Sequence, residues 1–181
     1  MLRQSLYFLT SLVVSASCIG CKSKQTEEFA QKQAQLSNQL VAAHKSYVKE
    51  EAAIIDTFLV QKNLKLQQTP TGLRYKIYSS SNGYTPVNGD EVTATYHLYL
   101  LNDKLCQSNN QMRFTVGMAD IPTGLHELVQ LMHAGDSAHA VLPVHLAYGL
   151  SGDANIPPES TLFCTFKINN IKQNQINNSK K

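Results

Sequence analysis

The sequence predicts an α+β fold: a curved antiparallel β-sheet wrapped around one short α-helix, preceded by a long N-terminal α-helix. Three observations carry this reading. Several short segments in the C-terminal part of the chain alternate apolar and polar residues, the period of a strand. A single segment there, TGLHELVQLM (residues 123–132), switches to helical period. Ahead of them, residues 29–63 contain neither Gly nor Pro and are rich in Ala, Gln, Lys, Glu and Leu, all good helix formers. The 181 residues are 43% hydrophobic, which suits one domain with an ordinary core plus an appendage.

In the long helix, Leu36, Leu40, Ala43, Tyr47, Ile54 and Phe58 fall at intervals of three, four and seven and form one stripe. Alone in water such a helix is marginal, so the stripe faces either a second copy of itself, as in a coiled coil, or its own domain. Thr69-Pro70-Thr71-Gly72 ends the helical region. Residues 73–78 then alternate. Gly89-Asp90 opens a strand in which Val92, Ala94, Tyr96, Leu98 and Leu100 share one face. Asn102-Asp103 is a turn, and residues 104–116 read as a strand broken by the polar run SNNQ. The short helix sets Leu125, Leu128, Val129 and Met132 on one side and is stopped by Gly135. A strand over 137–142 and another from Thr161 to Ile168 complete the sheet, the last with Leu162, Cys164, Phe166 and Ile168 on one face. No internal repeat is present.

Many chemistries find no support. The net charge is +3 with no basic block beyond Lys180-Lys181, which offers nothing to nucleic acid. The six histidines are scattered, and neither they nor Cys106 and Cys164 have metal-ligand spacing, so neither metal nor cofactor is expected. No nucleophile elbow, phosphate loop or dinucleotide fingerprint occurs. The carboxylates of the globular part sit mostly at turns and helix ends, where capping explains them. Cys106 and Cys164 read either as small buried hydrophobes or, in an exported chain, as a pair.

The connection between the strand ending at Leu142 and the one starting at Thr161 is longer than the roughly twelve residues that most connections stay below. It carries Leu146, Tyr148, Ile156 and the stiffening pair Pro157-Pro158. Such a loop makes sense folded over an apolar cleft, with Tyr148 as ring and donor, Tyr96 from the neighbouring strand and Leu125 as floor. The alternative is a satellite core under the loop.

The first residues lie outside the fold. Arg3 precedes a short apolar run, residues 6–14, and then VSASCIGC. Small residues followed by cysteine resemble a bacterial lipobox. Residues 1–17 then form a lipoprotein signal peptide with Cys18 acylated, Cys21 being the second choice. Ordinary secretory cleavage after Ser17, or an uncleaved anchor, are the other readings. Residues 18–28 make a polar tether, 29–68 the helical arm, 69–172 the globular domain and 173–181 a polar tail.

In order, GDEVTATYHLYL, FTVGMADIPTGLHELVQLMHAGDSAHAVLP, LAYG and IPPESTLFCTFKI resemble an FKBP-type peptidyl-prolyl cis-trans isomerase domain over residues 69–172. The resemblance implies an FKBP-like fold and rotamase activity on proline-containing segments, without a covalent intermediate. It implies a pocket of Tyr96, Ile121, Leu125, Tyr148 and Ile156. It also marks departures at positions that contact substrate in the family: Cys106 and Gln107 stand where an aromatic and an aspartate are usual, Met112 and Cys164 replace aromatics, and Pro122 removes a backbone N–H. An exported helical arm ahead of such a domain resembles members of the bacterial envelope, some of which dimerise through the arm. The implied place is the cell envelope, lipid-anchored, in the outer membrane facing the periplasm. Two functions follow: an isomerase assisting the folding of exported proteins, or a catalytically weak binding or chaperone module of an envelope assembly.

Overall fold

In the computed structural model, which describes residues 19–78, 82–118 and 121–174 with side chains from Thr26 onward, the Gly- and Pro-free stretch is helical from residue 29 to Gln61, as part of α1, Ile19–Gln61. The stretch read as a tether is therefore helical from Ile19, consistent with its Lys, Gln and Glu content. The signal peptide (1–17), Cys18 and the end of the tail (175–181) lie outside the described residues. The helix ends at Gln61, short of the expected 68, because Asn63 takes a left-handed conformation (φ 51°) and the Leu64 N–H reaches back to the Leu59 carbonyl at 2.9 Å.

The chain forms two units with the boundary between Glu50 and Glu51. In the first, the described side chains are all exposed, among them Phe29, Leu36, Leu40 and Val41. In the second, the last turns of α1 bury Ile55, Phe58 and Leu59 in a cluster with Val141 and the half-buried Phe163 and Leu101. Packing on its own domain thus holds for these turns. The stripe is rotated from the sequence reading: Ile54 is 58% exposed, while Glu51, Ile55, Phe58 and Leu59, at i, i+4, i+7 and i+8, face inward.

Six antiparallel strands make one sheet: β1 (Gln67–Gln68), β2 (Arg74–Ile77), β3 (Glu91–Leu100), β4 (Leu105–Thr115), β5 (Ser137–Leu142) and β6 (Leu162–Lys172), in the order β1-β2-β5-β6-β3-β4. The predicted alternation in β3 holds: Val92, Ala94, Tyr96 and Leu98 are buried, and Leu100 packs against them. The polar run in β4 does not break the strand. Residues 108–111 remain in it, exposed on the sheet edge, and register shifts opposite Ala94/Tyr96 and Leu98/Tyr99 absorb the irregularity.

The short helix α2 (Thr123–Val129) buries Leu125, Leu128 and Val129 against the concave face of the sheet. It ends before Met132, because Leu131 and Met132 bond to carbonyls three residues back, at 3.0 and 3.2 Å, which tightens the last turn. Met132 still reaches the core, fully buried, while Gly135 (φ 90°) turns the chain into β5. Gly124 is tight: a Cβ there would stand 3.0 Å from the Leu142 side chain and the Leu146 carbonyl, so glycine lets helix, strand and loop close together.

Asp90 closes the domain at its other end. Its carboxylate, fully buried, accepts from the Tyr84 hydroxyl (2.8 Å), the Val87 N–H (2.9 Å) and the Asn174 N–H (2.8 Å). Burial alone would raise its pKa; the donors outweigh it and hold it below the usual carboxylate value. A depressed folded pKa means stability that is complete above the unfolded value and lost as pH falls through the folded one. Asp90→Ala is therefore expected to cost about 1–3 kcal/mol at neutral pH, and urea unfolding should show this difference shrinking below about pH 4.

Candidate functional site

The concave face of the sheet, α2 and the long connection between β5 and β6 meet at one apolar cluster. Tyr96 reaches it from the middle of β3, Cys164 from β6, Cys106 from β4, Leu125 from the first turn of α2 and Ile156 from the connection; all five are buried. Ile121, Met112 and Tyr148 pack against the same cluster, half-buried. Pro122, also buried, precedes α2, and its carbonyl accepts from Leu125 N–H at 2.9 Å. Of the ten pocket residues expected from the resemblance, eight meet in this cluster, Gln107 joins it through Tyr148 and Pro122 stands at the start of α2.

The connection is a folded roof rather than a slack loop. Its first residues form a 3-10 turn (Val144–Leu146), and Leu146 is buried in the cluster. Glu159 N–H closes onto the Gly149 carbonyl at 3.1 Å, and Asp153 and Ile156 exchange backbone bonds at 2.9 Å each. Gly152 adopts φ 68° and lies so close under Pro157-Pro158 that a Cβ would collide with the backbone there. Beside the roof a groove of about 670 Å³ runs past Lys104, Cys106, Asp153 and Ile156.

Two phenols are the polar handles. Tyr148 donates to Gln107 Oε1 at 2.7 Å. Burial, reinforced by the nearby Tyr96, Asp153 and Cys164, pushes its pKa up to about 12, although the Gln107 bond works the other way. Tyr96 is raised too, by burial first and then by Cys164 and Asp153. Both stay protonated donors across the physiological range. The Cys164 thiol is pushed upward by complete burial and is inert as a nucleophile.

The departures acquire physical content. Gln107 keeps an acceptor facing Tyr148 without a charge. Pro122 offers no N–H where the helix begins. Cys106 and Cys164 are both free thiols, and β3 lies between their strands, so the pairing considered in the sequence is not formed. No cluster of metal ligands occurs among the described residues.

The family model for FKBP-type peptidyl-prolyl cis-trans isomerase matches residues 83–169, the stretch that builds this cluster. This is an FKBP-type domain. The chain is 30% identical over 129 residues to the outer membrane protein MIP of Legionella longbeachae, covering 68% of this chain and 55% of that one. It is 32% identical over 138 residues to a probable FKBP-type peptidyl-prolyl cis-trans isomerase of Haemophilus influenzae, covering 71% and 57%. The chain thus spans little more than half the length of these relatives. The crystal structure of FkpA from Escherichia coli superposes with a TM-score of 0.59 at 22% identity, over 81% of this chain and 72% of that one, a likeness of fold. The FKBP domain accounts for the order of elements, the short helix in the sheet's concavity and the roof.

Two neighbours of the site escaped the sequence reading. Asp153 bears electrostatically on both phenols. Glu51, on α1, is tied to the roof; its signal was a charged residue on the buried side of an amphipathic helix. The raised phenols make a titration test. Following tyrosinate absorbance, the last tyrosine to ionise should do so near pH 12, and Tyr148→Phe should delete that component. Because the folded pKa lies above the unfolded one, the stability this group contributes should be present below about pH 10 and fall as pH rises toward 12.

Proposed function

We propose that the protein is a peptidyl-prolyl cis-trans isomerase acting on X-Pro bonds of exported proteins. The observation that carries this is the convergence of Tyr96, Leu125 and Ile156 in one apolar cluster beneath a roof bearing Tyr148, within an FKBP-type domain. Rotation about a prolyl amide must break resonance, against a barrier of about 18–20 kcal/mol. The planar amide is charge-separated and well solvated in water; the twisted one is less polar. An apolar pocket floored by Leu125 and walled by Ile121, Met112 and Ile156 favours the twisted form over the planar one, and that difference is the catalysis. Among the described residues the Tyr96 hydroxyl makes no hydrogen bond, which leaves it to donate to a substrate carbonyl, while Tyr148 must exchange its Gln107 bond to do so. No covalent step is needed, and no cofactor enters.

Pro122 and Gln107 favour a second reading, in which the pocket holds apolar or extended segments with little turnover, as a binding or chaperone module. A missing donor of this kind costs on the order of 1 kcal/mol. Two-dimensional exchange spectroscopy on a short X-Leu-Pro-Phe peptide decides. The isomerase reading expects accelerated cis-trans exchange, reduced about tenfold or more by Leu125→Ala or Tyr148→Ala. No acceleration by the native protein at high concentration supports the binding module instead.

The same proposal places the chain in the bacterial cell envelope, anchored by an acyl group on Cys18, with Cys21 the second candidate, and facing the periplasm from the outer membrane. It rests on the small-residue approach to Cys18 and on a relative named as an outer membrane protein. No helix among the described residues is long and apolar enough to cross a membrane. Labelled palmitate should enter the native chain and the Cys21→Ala variant but not Cys18→Ala. We also propose that the arm pairs with a second copy, since Leu36, Leu40, Val41, Tyr47 and Val48 remain between 38% and 62% exposed.

A further inference from the structure

The roof over the site has two ends, and a single oxygen holds both. Glu51 Oε1 accepts the Val144 N–H at 2.7 Å and the Thr161 hydroxyl at 2.6 Å. Val144 is the first residue of the 3-10 turn that leaves β5. Thr161 immediately precedes β6. Everything that the connection contributes to the site, Leu146, Tyr148 and Ile156, lies between these two anchor points.

Glu51 belongs to neither strand. It stands on the inward side of α1, only 7% exposed, one turn before Ile55 and two before Phe58. A carboxyl group on that side is costly to bury unless it is used. Its use is specific: the 3-10 turn begins at Pro143 with no side-chain cap, so the Val144 N–H is an orphan helix-end donor that needs an acceptor from elsewhere. Bonds across the roof itself, such as Glu159 N–H to the Gly149 carbonyl, fix its shape but not its seat on the sheet. The roof meets the rest of the domain through His145 and the Thr71 carbonyl (2.9 Å) and through Tyr148 and Gln107 (2.7 Å), but Glu51 is the residue that holds its first and last positions to one atom. We propose that Glu51 is a positioning residue for the isomerase site, clamping both feet of the roof so that Tyr148 and Ile156 are held over the Tyr96–Leu125 floor. It touches no substrate and acts through the loop. The consequence is that the catalytic geometry of the FKBP domain depends on a residue outside the stretch matched by the family model, 83–169.

The inference rests on the isomerase reading for its catalytic readout, and amide exchange tests the clamp independently. Both bonds converge on one oxygen, so Glu51→Gln retains the acceptor and should keep the exchange rate of the peptide within about twofold, whereas Glu51→Leu should lower it about tenfold. Thr161→Val, which removes one of the two bonds with little change of shape, should lie between them. In Glu51→Leu the amides of Val144, Gly149, Ile156 and Glu159 should exchange faster with solvent, and in Glu51→Gln they should not. Leu59→Ala, on the same helix but packed on Val141 and Phe163, is the control: it should lower the melting temperature yet leave the catalytic rate well below that temperature unchanged. Native rates in both Glu51→Leu and Thr161→Val, or equal losses in Glu51→Leu and Leu59→Ala, would overturn the proposal. Should Glu51→Leu not fold, Thr161→Val beside Glu51→Gln gives the answer. Should the native protein lack isomerase activity, the isomerase reading fails, while unchanged roof amides in the variants would sink the clamp.

Discussion

Burial of α2 in the concavity of the sheet is the constraint on which the other features depend. Seven residues of helix do not persist alone in water. Leu125, Leu128 and Val129 are essentially without solvent contact, as is Met132 beyond the helix end, and a side chain of this size contributes about 1.5–3 kcal/mol when fully buried. The sheet must curve to receive them, which brings β3 and β6 close behind the helix and leaves a mouth at its N-terminal end. Leu125 is at once a core residue and the floor of that mouth. Site and core cannot be separated here, and a mutation at the floor acts on both.

Much of this was readable from the chain. Alternation marked β3, β5 and β6, and the change of period at Thr123 marked the one helix inside the sheet. The spaced motifs from Gly89 to Ile168 carried the family and the site residues. What was not readable has physical reasons. The polar run in β4 looked like a break because alternation presumes a face to bury, and an edge strand has less of one. The rotated stripe of α1 could not be fixed while its partner surface was unknown: Ile54 and Ile55 are adjacent and equally apolar, and only Val141 and Phe163 on the convex side of the sheet decide between them. The role of Glu51 is a contact across 93 and 110 residues of sequence, beyond the reach of any local pattern.

The altered pocket is internally consistent. Cys106, Met112 and Cys164 give the cluster smaller side chains than aromatics would, and Gln107 presents a neutral acceptor that Tyr148 satisfies. The Gln107 carboxamide accepts the Tyr148 hydroxyl without bringing a charge to be compensated there.

One consequence concerns the company such a protein keeps. Incompletely folded chains offer unpaired strands, and any long, regular, apolar sheet margin would template them into a permanent adduct. Both margins here are poor templates. One is the two-residue β1; the other, β4, is long but bulged and carries Ser108, Asn109, Asn110 and Gln111 toward water. A strand laid along β4 would meet a kinked ladder with no apolar strip to cover. The irregularity in β4 therefore leaves the sheet without a regular apolar margin on which another chain could pair.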